Sequence, residues 1–166
     1  NRFTGKTDID LCEEGINEAK NCAKEIFNEV SFVDACFTSD LLRAKNTANI
    51  IKEELNMDFE ITNSRDLDER DYGDLTGENK DTMIEKYGEE QIRKWRRSYF
   101  DGPPNGENLH CVVKSVGEYF DKYINPLLFL KKNVLIVAHG NSLRALMVHL
   151  KEKNITDIED FEFSTG

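Results

Sequence analysis

The chain has four cysteines, Cys12, Cys22, Cys36 and Cys111, and no two of them form a CxxC pair. That excludes the spacing of a zinc ribbon or a thioredoxin-like dithiol, and scattered thiols of this kind are expected to stay free in a reducing cytosol. Long apolar runs are missing as well. The longest, Val134 to Ala138, is far short of the roughly 20 residues a membrane helix needs. No signal peptide is legible. There is no Walker A loop, no dinucleotide-binding glycine fingerprint, no metal-ligand spacing and no G-x-S-x-G elbow. Internal repeats, low-complexity tracts and domain linkers are absent too.

What remains suits one globular domain spanning residues 1–166. The chain is 39% hydrophobic and 33% charged, a composition that is neither fibrous nor disordered. Its length allows roughly two-thirds of the unfolded surface to be buried. With 22 basic against 32 acidic side chains the net charge is -10. Such a surface repels a phosphate backbone at long range, so no nucleic-acid partner is expected, and no membrane partner either. Any local basic cluster therefore stands out.

Apolar residues at Ile16, Ala19, Cys22, Ala23, Ile26, Phe27 and Val30 predict a helix over 13–30 with one buried stripe. Ala35–Phe37 reads as a strand. Ser39 or Asp40 is expected to cap a second helix running to Leu55, and 59–62 reads as another strand. Residues 66–80, with Gly73 and Gly77, predict a functional loop. Two short helices broken near Gly88, a turn at 102–106 and a longer helix through 109–124 follow. The run Val134–Ala138 predicts a strand buried on both faces, and a helix from about Ser142 comes after it. Alternating helices and short strands predict an α/β fold, a mostly parallel central sheet with helices on both faces.

Chemistry concentrates in four places. His139-Gly140-Asn141-Ser142 lies where a buried strand turns into a helix, the position at which open α/β sheets bind ligands. Arg43 lies one turn into the helix after the preceding strand, and its planar fork matches phosphate. The loop Glu69-Arg70-Asp71-Tyr72-Gly73, followed by Lys80, mixes carboxylate, cation and phenol. A carboxylate beside bound phosphate has its pKa raised and can serve as a general acid and base. Arg93-Lys94-Trp95-Arg96-Arg97 packs four cations into five positions. Taken singly, these read equally well as a capped turn, a solvated helix charge, a polar loop and a salt-bridged helix face. Together they point to a small, highly anionic substrate, a phosphorylated metabolite.

Over 1–166 the sequence resembles the cofactor-dependent phosphoglycerate mutases of the histidine phosphatase superfamily. The matching blocks are Asn1-Arg2-Phe3-Thr4-Gly5, Leu42-Arg43-Ala44, Glu69-Arg70 with Tyr72-Gly73, Asn79-Lys80, Trp95-Arg96-Arg97-Ser98-Tyr99 and Ala138-His139-Gly140-Asn141-Ser142-Leu143-Arg144. The resemblance implies a three-layer α/β/α sandwich. It implies that Arg43 and His139 grip the transferred phosphoryl group, helped by the Gly140 amide, with Glu69 as general acid and base. Thr4, Gly5, Arg70, Tyr72, Lys80, Arg96, Arg97 and Asn141 would hold the carboxylate and second phosphate of 3-phosphoglycerate or 2-phosphoglycerate. It further implies a phosphohistidine intermediate, 2,3-bisphosphoglycerate as primer, no metal, a cytoplasmic glycolytic and gluconeogenic role, and a homodimer.

In that family a strand ending in Arg-His-Gly-Glu carries the nucleophile, shortly before the block matching Asn1–Gly5, and an apolar tail follows the position of Gly166. Residues 1–166 contain neither, so the chain is expected to be the greater part of a longer enzyme, truncated at both ends and lacking its N-terminal strand. His110 and His149 fall in helical stretches and match nothing catalytic. The short connection Phe100–Asn108 is expected to be a simple linker. A broad-specificity histidine phosphatase and a non-catalytic phospho-ligand binding module are the alternatives.

Overall fold

The computed structural model describes residues 2–161 and 163. Along the chain these form α1 (Glu13–Glu29), β1 (Ala35–Ser39), α2 (Leu42–Leu55), β2 (Glu60–Ser64), α3 (Lys80–Tyr87), α4 (Glu89–Arg97), α5 (Leu109–Tyr119), α6 (Asn125–Phe129), β3 (Val134–Val137), α7 (Gly140–His149) and α8 (Ile155–Ile158). Short 3-10 turns occupy Arg65–Leu67 and Gly73–Leu75, and a π turn, Phe120–Ile124, joins α5 to α6. Two compact units result. One holds 8–68 and 118–139 with Phe163; the other holds 2–7, 69–117 and 140–161. No helix among the described residues is long and apolar enough to cross a membrane.

The first unit is built on a parallel sheet in the order β2-β1-β3. Ala35 registers with Glu60 on one side and with Val134 on the other. Successive residues of a strand face opposite ways. Cys36 accordingly packs with Ala23 of α1, Ala48, Ile51 and Leu55 of α2, and Phe59. Phe37 turns its ring to the edge of Tyr119, at the end of α5. Helical segments thus lie on both faces of the sheet. Full burial of each large side chain, Ile51 for example, stabilises by about 1.5–3 kcal/mol.

Three expectations are corrected in this unit. Ile16 and Phe27 are both exposed, Phe27 at 63%, so the buried stripe of α1 runs through Ala19 and Ala23 with Cys22, Ile26 and Val30 beside it. Neither Ser39 nor Asp40 caps α2. Its N-cap is Leu41, and the amide of Leu42 donates instead to Asp8 Oδ1 at 2.6 Å. β3 is half-buried along its length. It bonds β1 on one side and no other strand among the described residues, while β1, between two neighbours, takes the buried position.

In the second unit Phe3 forms the centre of a core with Leu75, Met83 and Ile92. Its backbone brackets the loop, donating to Glu78 O and accepting from Gly77 N. Asn79 caps α3, its side-chain oxygen accepting from the amides of Asp81 and Thr82. Gly88, at φ 85°, separates α3 from α4. The turn around Pro103–Gly106 braces the loop that follows Glu69. Asp74 N donates to Pro104 O, and Asp71 and Glu107 are joined both through backbone and through the Glu107 carboxylate.

Candidate active site

In the first unit, β1 and β3 end together, with Thr38 opposite Val137. Ser39 is the next residue on β1, and His139 lies two residues beyond Val137. The carboxyl edge of the sheet therefore brings Ser39 Oγ to 2.7 Å from His139 Nε2. The same Oγ accepts from the amide of Leu41 at 3.2 Å. Ser39 is fully buried and His139 is 9% exposed. Burial, and secondarily the positive charge of Arg43, lowers the imidazole pKa to about 3. The ring is thus neutral at physiological pH. Arg43, in the first turn of α2, is half-buried. The predicted pair Arg43 and His139 belongs to one unit and is electrostatically coupled.

The remaining predicted residues, Thr4, Gly5, Glu69, Arg70, Tyr72, Lys80, Arg96, Arg97, Gly140 and Asn141, belong to the other unit. Most of them form one linked cluster. Gly5 adopts φ +49°, and a Cβ there would lie 3.2 Å from Arg70 O and from the Tyr72 ring. The Thr4-Gly5 turn is thereby pressed onto the Arg70–Tyr72 backbone. The Arg70 guanidinium stacks 4.9 Å over the Tyr72 ring. Asn141 Nδ2 donates to Tyr72 Oη at 3.2 Å. Glu69, half-buried, accepts the amide of Arg70 at 2.9 Å.

Arg70 is the largest fully buried side chain in the described residues. Its Nη2 donates to the carbonyl oxygen of Trp95, but Nε and Nη1 have no hydrogen-bond partner among the described residues. A buried guanidinium with idle donors is costly unless an acceptor arrives. A second, similar imbalance lies nearby in the same unit. Burial, then Arg96 and Arg97, depress the Lys80 ammonium below its ordinary pKa. Three cations crowd together at the end of α4 and the start of α3. Such a cluster is stabilised by an anion with more than one charged group.

His110 and His149 stay outside this chemistry. His110 packs on the Tyr99 ring and His149 sits against Gly117. Ser39 was legible only as a helix cap. The signal for its other role was a polar Thr38-Ser39 pair ending a buried strand, one residue short of the level of the His-Gly turn on the neighbouring strand. The part played by the Trp95 carbonyl has no signal in the sequence, because every residue carries one.

The family model of the histidine phosphatase superfamily (branch 1) matches residues 1–166. The chain belongs to the histidine phosphatase superfamily. Among its relatives is the 2,3-bisphosphoglycerate-dependent phosphoglycerate mutase of Parvibaculum lavamentivorans, 44% identical over all of this chain and 80% of that protein. The protein of the same name from Cytophaga hutchinsonii is also 44% identical, over all of this chain and 77% of its own length. Among solved structures, a mycobacterial glucosyl-3-phosphoglycerate phosphatase complexed with VO3 superposes with a TM-score of 0.82, at 21% identity, covering 96% of this chain and 77% of that one. The α-ribazole phosphatase of Shigella flexneri does so at 0.75 and 22%, covering 99% and 79%. These two show the shared fold.

Proposed function

We propose that this protein interconverts 3-phosphoglycerate and 2-phosphoglycerate through a phosphohistidine, with 2,3-bisphosphoglycerate as primer. The observation that carries the reading is the 44% identity, across the whole chain, to mutases of that name. The cationic cluster supports it, since the idle Arg70 donors and the crowded Lys80, Arg96 and Arg97 fit a ligand with several anionic groups. When bound, 2,3-bisphosphoglycerate supplies the phosphoryl group that loads the histidine.

In this reading the nucleophilic histidine lies outside residues 1–166, and among the described residues β3 pairs with β1 alone. The histidine attacks phosphorus as the bond to the ester oxygen breaks, and Glu69 gives that oxygen its proton. In the return half, Glu69 takes the proton of the other glycerate hydroxyl as the phosphoryl group transfers to it. Arg43, His139 and the Gly140 amide neutralise the phosphoryl charge in flight. A dianion against Arg43 offsets the smaller of the two causes that keep His139 neutral, the arginine's charge, while burial continues to act. Thr4, Gly5, Arg70, Tyr72, Lys80, Arg96, Arg97 and Asn141 hold the carboxylate and second phosphate. A cytoplasmic homodimer in glycolysis and gluconeogenesis, one phosphoglycerate mutase-like domain per chain, is part of the same proposal.

The test is a coupled assay of 3-phosphoglycerate conversion by the full-length gene product, with and without 2,3-bisphosphoglycerate. Turnover that the bisphosphate stimulates is the expected result. Faster hydrolysis of unrelated phosphate esters would make the protein a phosphatase. Binding of phosphoglycerate without any turnover would make it a binding module.

A further inference from the structure

Ser39 occupies a junction at the carboxyl edge of the sheet. It is fully buried, and its Oγ lies between two nitrogens. One is the amide of Leu41, at 3.2 Å, and the other is His139 Nε2, at 2.7 Å. An amide can only donate, so Oγ accepts there. The hydroxyl proton then needs an acceptor of its own, because a buried donor left without one is costly. The unprotonated Nε2 of a neutral imidazole is the acceptor within reach. A protonated Nε2 would instead point a second donor at the same oxygen and strand the hydroxyl proton. The bond thus selects the tautomer that carries its proton on Nδ1. Burial and the charge of Arg43, which keep the ring neutral, agree with it.

The two bonds of this one hydroxyl reach two different elements. Through Nε2, Ser39 holds the ring that follows β3. Through the amide it holds Leu41, the buried N-cap residue of α2. Leu41 has no side-chain group with which to cap its helix, so the start of α2 is held from outside. Ser39 takes the Leu41 amide, and Asp8 takes the Leu42 amide. Arg43 is the next residue, in the first turn of α2. The hydroxyl therefore ties the imidazole and the helix start that carries Arg43 to a common point at the end of β1.

We propose that Ser39 is a positioning residue, whose hydroxyl donates to His139 Nε2 and accepts from Leu41, so that the imidazole is held in one tautomer and in a fixed place relative to Arg43. The inference rests on the proposed function only in taking His139 and Arg43 as the residues that meet the transferred phosphoryl group.

Nitrogen NMR at neutral pH, on the full-length protein with isotope-labelled histidine, tests it together with turnover of 3-phosphoglycerate. The signals of His139 are those that vanish in His139→Gln. The wild type is expected to show a single neutral tautomer with its proton on Nδ1. Ser39→Ala removes both bonds and is expected to lose that single tautomer. Its kcat is expected to fall about ten- to a hundredfold, the scale of a reacting group displaced by about 1 Å. KM is expected to hold, because other residues grip the carboxylate and second phosphate. Ser39→Thr keeps the hydroxyl and is expected to move both readings back toward the wild type. Where a variant does not fold, the wild-type spectrum decides by itself. A wild-type ring protonated on Nε2 would overturn the proposal. So would a Ser39→Ala protein with the wild-type tautomer and kcat and only a lowered Tm. A wild type that shows the Nδ1 tautomer yet never converts 3-phosphoglycerate would overturn the proposed function instead, and loss of that tautomer in Ser39→Ala would still support the role of Ser39.

Discussion

Ser39 Oγ stands 2.7 Å from His139 Nε2 while accepting the Leu41 amide, which leaves its hydroxyl proton free to be given to the ring. This hydrogen bond suits a neutral imidazole with its own proton on Nδ1. The folded-state pKa of about 3 lies below the ordinary 6.5, so the unfolded chain binds the additional proton between those values. Stability from this group is therefore complete above about pH 6.5 and is lost as pH falls toward 3, with a slope of at most about 1.4 kcal/mol per pH unit. Urea titrations from pH 7 to pH 4.5 should show that slope in the wild type and a shallower one in His139→Gln. Saturating phosphate should raise the imidazole pKa in an NMR titration; an unmoved ring would separate His139 from the anion.

Arg70→Met replaces a buried cation with idle donors by an apolar side chain of similar length. The free protein should hold its Tm or gain, since exchanging an underpaired buried charge for a packed side chain is neutral or stabilising by about 1–4 kcal/mol. Phosphoglycerate affinity should fall at least about tenfold, a loss on the scale of one charge-assisted hydrogen bond. Scanning calorimetry with and without ligand reads both. A variant that loses stability yet binds as the wild type would place Arg70 in the fold alone.

The glycines of the loop separate two costs. At Gly73, φ +52°, a Cβ would collide with Pro104 O and the Gly106 amide, both backbone. Gly73→Ala should lose at least about 3 kcal/mol and disturb the bracing turn. At Gly77, φ +84°, the added Cβ meets nothing within 4 Å, so Gly77→Ala should lose only the conformational cost, about 1–2 kcal/mol. Equal losses in chemical denaturation would count against this packing.

Lys80, Arg96 and Arg97 repel one another. Arg97→Gln should leave Lys80 closer to its ordinary pKa and weaken phosphate binding. The wild type should bind phosphate more weakly as salt rises from 0.05 to 0.5 M, on the order of tenfold, and Arg97→Gln should show a flatter dependence. Salt-independent affinity in the wild type would argue that these cations do not face the anion.

The helices were legible where a single stripe decides them. Ala19, Ala23, Ala48 and Ile51 carry the periodicity, and all are buried. The break at Gly88 and the loop with Gly73 and Gly77 were equally plain, since glycine adopts positive φ without the cost a side chain brings. Phe27 and the cap of α2 were not. An exposed phenylalanine and a buried one look alike in a pattern of threes and fours. The oxygen that meets Leu42 comes from Asp8, 34 positions away. β3 reads as a strand buried on both faces, but its burial depends on which strands flank it, and neighbours are not written into four apolar residues. At the site, the cation-rich blocks pointed to an anionic ligand. Their connections through the Tyr72 ring and hydroxyl and through the Trp95 carbonyl depend on which atoms meet across the fold, so only the folded chain displays them.

The π turn at Phe120–Ile124 is one residue wider than an α-helical turn, and it keeps both Phe120 and Ile124 buried. Removing one residue from that turn would let an ordinary helix run through it. The same deletion would swing Ile124 about 100° around the axis relative to Phe120. The surplus residue thus works as a spacer between two apolar anchors. A chain shortened by that residue would need a compensating change at Ile124 or Phe120 to keep both anchors buried.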